Sequence, residues 1–351
     1  MRQETTESRA VVLVLHGPEI FDTGEAAWLM QVIRPSRTIV TGVMARTAAE
    51  ESGLPVEYDG SPPTRIMRAL GGKSVLANHA KTPESGRIFG NIVASRLGSE
   101  GLIQIECSDK TVIVWDAGDK KTASDISEAT GYSLTCLPST PELHGNERKI
   151  RGCLPGEPVY VNGMIIGHAT QDTVVIRRSG TAIEAVSGLV PKDHGIEKLS
   201  GIRPLDLATA WCKSGQIRTV APLYHRKQVT SGRVVVVDHC GHEIYGKIGP
   251  DCCGVLAIGD DTTAVCGHIC SHRGIPVLGI VDGDRDTILM SAFADGSVVL
   301  EAQGERDDDL GREVARMAEP GPVIWSDWVA SVLAAFKSRV RVAVDRRSED
   351  R

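Results

Sequence analysis

Residues 10–16 read Ala-Val-Val-Leu-Val-Leu-His, and Gly17-Pro18 break the run. A continuous apolar stretch of this length, without polar alternation, predicts a strand buried on both faces, as in a parallel sheet. Asp22 or Thr23 stands where it can cap a following helix reaching to about Gln31, with Glu25 favourable in its first turn. The strand-then-helix unit recurs. Thr38–Val43 reads as strand and Arg46–Ser52 as a short helix, then Ser74–Ala77 as strand and Glu84–Leu97 as helix. Leu102–Glu106 and Thr111–Asp116 read as strands, and Ala123–Thr130 as a helix. Such alternation predicts an α/β fold, with a Rossmann-like open sheet over residues 1–146.

From 147 to 202 the texture changes to short, Gly-punctuated strands. Asn162-Gly163 lies between the extended runs Pro158–Val161 and Met164–His168, a strong hairpin signal. A small central β domain is expected there. Residues 203–231 read as a linker holding one helix at Pro204–Lys213. A third, Rossmannoid α/β unit is expected over 232–303, with strands at Arg233–Val237, Val255–Ile258, Val277–Val281 and Ser297–Glu301 and a helix at Thr263–His272. Residues 304–351 read as a helical tail.

Ligands of open α/β sheets bind outside the carboxyl ends of the strands. In the third unit three such ends carry acids: Asp238, then Asp260 and Asp261, then Asp282, Asp284 and Asp286. Neighbouring parallel strands would bring them to one edge. Clustered carboxylates raise one another's pKa unless a cation is present, and hard oxygen ligands suit Mg²⁺ or Mn²⁺. Asp238, Asp260, Asp282 and Asp284 are the expected metal ligands. Thr262 or Thr263 would cap the following helix, whose first amides can hold phosphate. Asp261 and Asp286 would act as base or support the ligands. The same residues are ordinary in βα turns, where Asp and Thr often cap helices.

Other motifs point less far. Gly241–Lys247 has P-loop spacing, but Ile248 replaces the required Ser or Thr and Gly249-Pro250 stop a helix. In Asp238-His239-Cys240-Gly241-His242-Glu243, either histidine could serve as base or ligand. Cys252, Cys253, Cys266 and Cys270 offer a thiol-metal alternative, although no Cys-x-x-Cys pair occurs and small buried cysteines are common. His16 and Glu19 end the first strand, where an α/β domain binds small ligands or cofactors.

Composition narrows the class. The 351 residues carry a formal charge of −6 and only 4% aromatic residues, which argues against a nucleic-acid-tracking surface. No apolar run reaches the ~18 residues of a membrane span, and the polar start lacks a signal-peptide core. With nine cysteines, an odd number, reduced thiols and a cytoplasmic setting are expected.

His16-Gly17-Pro18-Glu19-Ile20, Gly152-Cys153-Leu154-Pro155-Gly156-Glu157, His194-Gly195-Ile196-Glu197-Lys198-Leu199 and Gly259-Asp260-Asp261-Thr262-Thr263 are the most distinctive stretches. In these and in Gly274-Ile275-Pro276 through Asp282-Gly283-Asp284, the sequence resembles the archaeal, largely methanogen, domain-of-unknown-function 2117 family. The resemblance implies an archaeal cytoplasmic protein and supplies no activity. The third unit alone resembles the Mg²⁺-binding Toprim core, except that Asp238 stands where that core places Glu. The expected function is binding of a divalent cation and a phosphorylated small molecule or nucleotide, with phosphoryl transfer or hydrolysis as the reaction. The alternatives are a non-catalytic regulatory or assembly protein, and a Cys/His metal protein.

Overall fold

The computed structural model describes residues 11–141, 143–162, 164–201, 205–208, 210–223, 229–282, 293–318 and 321–347. The chain forms two compact units, Met1–Cys153 with Asp172–Arg177, and Leu154–Gln171 with Arg178–Arg351.

The first unit is built on seven strands: β1 (Val12–His16), β2 (Arg37–Thr41), β3 (Glu57–Asp59), β4 (Ser74–Asn78), β5 (Leu102–Glu106), β6 (Thr111–Trp115) and β7 (Ser133–Leu137). Their order is β3-β2-β1-β4-β5-β6-β7. Strands β1 to β5 are mutually parallel. The crossovers are α1 (Glu19–Asp22), α2 (Glu25–Ile33), α3 (Val43–Ser52), α4 (Pro63–Leu70) and α5 (Pro83–Leu97). Strand β6 runs antiparallel to β5, because residues 107–110 form only a turn and are too few for a crossover. Helix α6 (Lys120–Thr130) then returns the chain to β7, parallel to β6.

Leu13 and Leu15 pack into one core cluster and Val14 into another. Successive strand residues point to opposite faces, so both faces are apolar and the run cannot alternate. The strand order reverses between β1 and β4, which makes their carboxyl ends the switch point of the sheet.

The single helix expected after β1 is instead two. The Thr23 hydroxyl bonds the Glu19 carbonyl and the Glu25 carboxylate, closing α1, and Gly24 in the left-handed region starts α2. Strands β8 (Leu143–His144) and β9 (Glu147–Arg151) pair antiparallel, and residues 173–177 of β12 (Thr173–Ser179) pair with β9.

The second unit holds two sheets. One has the order β14-β11-β10-β15, from β10 (Pro158–Val161), β11 (Met164–Ala169), β14 (Leu189–Pro191) and β15 (Cys212–Ser214). Gly163 of the expected hairpin lies outside the described residues. Strand β13 (Ala182–Ser187) precedes β14, and α7 (Asp193–Gly201) follows it.

The other sheet has the order β20-β16-β17-β18-β19-β21. Its parallel centre is β16 (Ser231–Asp238), β17 (Cys252–Ile258), β18 (Val277–Val281) and β19 (Val298–Ala302). A short helix, α8 (Ile244–Lys247), lies between β16 and β17, and α9 (Asp260–Arg273) crosses from β17 to β18. Helices α10 (Asp307–Ala318) and α11 (Trp325–Phe336) bury Leu310, Val314, Trp328 and Val332 against Leu256, Ile258, Leu278 and Ile280.

Two expectations change here. The tail ends in a strand, β21 (Val340–Asp345), antiparallel to β19, with β20 (Val323–Ile324) on the opposite edge. Val340, Val342 and Val344 alternate with Arg341 and Ala343, a pattern suited to an edge strand with one face in water. In place of a helix over 204–213, the described residues hold a turn and then β15, which completes the edge of β10.

Among the described residues no helix is long and apolar enough to cross a membrane. Helix α5 matches its expected span and is capped by Thr82, whose hydroxyl accepts the Ser85 N–H while the Ser85 hydroxyl accepts the Thr82 N–H. Thr82→Ala is expected to destabilise α5 by about 0.5–2 kcal/mol. Faster amide hydrogen exchange over residues 84–88 would show it, with Thr82→Ser close to wild type.

Candidate active site

The register of β16, β17 and β18 is level at the carboxyl edge. Asp238 stands beside Ile258, and Ile258 beside Ile280. The residues that follow β17 and β18 therefore emerge side by side. Helix α9 begins at Asp260, three residues before the expected start, and its N-cap is Gly259 with no side-chain cap. Neither threonine caps it. Thr263 is fully buried with its hydroxyl 3.5 Å from the Ala257 carbonyl, while Thr262 lines the pocket at the sheet edge.

Lys192, just ahead of α7, meets two of the expected acids. Its ammonium is 3.1 Å from Asp260 Oδ2 and 3.5 Å from Asp282 Oδ1. Asp260 is nine-tenths buried, and its Oδ1 meets no hydrogen-bond donor. Burial first, then the neighbouring Asp282 carboxyl, push Asp260 up to about 8 against the pull of Lys192. Asp261 is pushed up to about 7 by loss of hydration.

On α7, His194 Nε2 is buried without a hydrogen-bond partner and lies 3.9 Å from Asp282 Oδ2. His194, Asp282 and the buried Asp307 each offer a ligand atom, all within 4.8 Å of one another. Helix α7 reaches this edge by lying directly on β11. A Cβ on Gly195 would come 1.9 Å from the Ile165 carbonyl oxygen, so only glycine permits the approach.

Asp238 belongs to a neighbouring group. Its Oδ1 is 2.5 Å from His239 Nδ1, and Asp308 Oδ1 lies 3.5 Å from the same nitrogen. Lys198 Nζ is 2.9 Å from Asp307 Oδ1, 3.3 Å from Asp308 Oδ2 and 3.2 Å from His239 Nε2. An ammonium only donates, so His239 Nε2 accepts and the ring proton sits on Nδ1, given to Asp238. Burial favours the neutral ring most strongly, but the Asp238 bond together with the Asp307 and Asp308 charges outweighs it and raises the His239 pKa. His239 holds a left-handed backbone, φ 49°. A Cβ on Gly259 would meet the imidazole at 2.9 Å, so glycine there admits the ring.

The site thus brings Asp260 and Asp282 together, sets Asp261 and Thr262 beside them, and puts Asp238 with His239 and Asp308. Asp284 and Asp286 lie outside the described residues. His16 and Glu19 belong to the first unit. There, His16 stacks on Phe89 with ring centroids 4.7 Å apart, and Glu19 opens α1. Lys192, Asp307 and Asp308 were not singled out from sequence, and His194 and Lys198 stood out only within a stretch that carries the family resemblance, with no role assigned. The thiols of Cys252, Cys253, Cys266 and Cys270 are buried, and among the described residues none joins a cluster of three metal-competent ligand atoms.

An α/β protein with a buried carboxylate, lysine and histidine pocket at the carboxyl end of a parallel sheet is the class that this fold and site define. The chain belongs to the family described as an uncharacterised protein conserved in archaea, DUF2117, whose model matches residues 13–320. It is similar to an uncharacterised protein of Methanocaldococcus jannaschii, with 31% identity over 326 residues covering 86% of this chain and 89% of that one.

The raised Asp260 pKa gives a signed expectation. The folded protein retains a proton there that the unfolded chain loses near pH ~4. This contribution to stability is complete at low pH and declines as pH rises toward about 8. Urea unfolding from pH 4 to 8 should show wild type losing stability relative to Asp260→Asn. A parallel course of the two proteins would contradict the shift.

Proposed function

We propose that the carboxyl edge of the β16–β19 sheet binds a divalent cation together with a phosphorylated small molecule or nucleotide, as a phosphoryl-transfer or hydrolytic site. One observation carries the reading. Asp260 presents a buried oxygen, with no donor, beside a second carboxyl group. Lys192 reaches one oxygen of each carboxyl group, but Asp260 Oδ1 is left buried, and such an oxygen calls for a proton or a further cation. His194 and Asp307 extend the same pocket, and the 3.9 Å spacing of His194 Nε2 and Asp282 Oδ2 is too long for a hydrogen bond. It suits two ligands of one ion, whose bonds are each ~2.0–2.2 Å. An imidazole among carboxylates favours Mn²⁺ over Mg²⁺. Lys192, Lys198 and the first amides of α9 supply positive charge for a phosphate. The His239–Asp238 pair and Asp261 would move the proton.

A second reading has its own support. Lys192 and Lys198 already pair with the acids, so the network could serve only to brace α7 and α10 on the sheet. Calorimetric titration with Mn²⁺ separates the two. The proposed site takes up about one ion per chain, and His194→Ala and Asp282→Asn each weaken binding by about 10–100-fold or more. No uptake, or equal uptake by all three proteins, would leave the brace.

A further inference from the structure

In the first unit the chain parts between β1 and β4. After β1 it runs into α1 and α2, and Ala26 and Leu29 of α2 pack with Leu13 and Leu15 on one face of the sheet. After β4 it runs into α5, whose Val93, Ala94 and Leu97 pack with Val14 and Leu76 on the other. Helices that diverge in this way leave a crevice at the carboxyl ends of the two strands, where open α/β sheets hold small ligands. His16 and Asn78 stand level there, and Gly17 and His79 come next.

Asn78 is turned to the α5 face, where it donates to Glu106, so His79 is turned to the α2 face. Its Nδ1 lies 2.6 Å from Glu25 Oε2, which also accepts the Thr23 hydroxyl at 2.8 Å. An ionised carboxylate only accepts, so the proton of the neutral ring sits on Nδ1 and the lone pair on Nε2. Nε2 has no partner among the described residues, and the side chain is 25% exposed. A histidine held from behind by an acid presents a fixed acceptor. Cys107, whose N–H bonds the Asn78 carbonyl, does not supply the donor. Its thiol is buried, and burial, then the Glu25 and Glu106 charges, push its pKa up. The Glu19 carboxylate folds back to 3.2 Å from where a Cβ on Gly17 would stand. With Glu25 it gives the crevice two acids, which disfavour an anion.

We infer that the crevice between the ends of β1 and β4 is a second binding site, for a small uncharged molecule whose hydroxyl group donates to His79 Nε2, with Glu25 as the positioning residue. It does not rest on the function proposed for the second unit. The test is carbethoxylation of the full chain with diethyl pyrocarbonate, which acylates an unprotonated imidazole nitrogen. Peptide mass spectrometry reads the rate at His79 against that at His242, which is 71% exposed and corrects for loss of reagent. His79 is expected to react, and to be slowed by ribose, a neutral polyol, but not by inorganic phosphate. In Glu25→Gln the amide can donate to Nδ1 and move the ring proton to Nε2, so the rate at His79 should fall severalfold. A pair that merely ties α2 to β4 would show no effect of ribose. An unreactive His79, no protection by ribose, equal protection by phosphate, or an unchanged rate in Glu25→Gln would each overturn the inference. Should circular dichroism show that the variant does not fold, nitrogen NMR of the wild-type imidazole replaces it. A neutral ring protonated on Nδ1 is expected, and one protonated on Nε2 would overturn the inference.

Discussion

Burial of Asp260 beside Asp282 is the constraint around which the second unit is organised. Parallel pairing of β17 with β18 puts the two strand ends level, so the residues after them cannot avoid each other. Water is largely excluded, and a lone carboxylate in such a place would take up a proton. The opposing charge comes from elsewhere in the chain, from Lys192 just ahead of α7. Helix α7 also brings His194 and Lys198, and the start of α10 adds two more acids, Asp307 and Asp308, which Lys198 meets. Two further contacts set the spacing, Gly195 on the Ile165 carbonyl and Gly259 under the His239 ring. Each is a backbone approach that a methyl group would block.

The α/β class was legible because continuous apolar runs have one common cause, a strand covered on both faces. Val234, Val235 and Val237 on β16, and the fully buried β17 and β18, show that cause directly. The acids after the strands were legible for a related reason, since strand polarity fixes which end they occupy. Their grouping was not. Asp238 ends β16 itself, turned toward His239, whereas Asp260 and Asp282 follow their strands and meet across Lys192.

Lys192 left no local signal, and the distinctive stretch holding His194 and Lys198 did not say what those side chains would meet. Nothing within Leu189–Gly201 states that a helix after two short strands will lie against the end of another sheet. Long-range placement of this kind is decided by packing, not by propensity. Strand β21 is a different case. Its valine alternation was present, but the segment reads as part of a helical tail, and four arginines from Arg339 to Arg347 dilute the apolar pattern. The segment is half-exposed because it is an edge strand, and Arg341 pairs with Glu301 of β19 across the ladder.

The first unit holds a contrasting buried acid, which shows why Asp260 is informative. Glu106, at the end of β5, is wholly buried, and burial raises its pKa. Yet its Oε1 accepts the Ala80 and Ser108 amides at 3.1 and 3.0 Å, and Asn78 donates to Oε2. Gln104 continues the row, donating to Asn78 and the Gly86 carbonyl and accepting from Trp115. Both carboxylate oxygens are satisfied, so the network explains itself as a rigid polar core beneath α5. Asp260 differs by one oxygen. The first unit meets its buried acid with amides from its own chain, whereas the second leaves a buried acceptor facing another acceptor. That mismatch is the one the proposed cation would relieve.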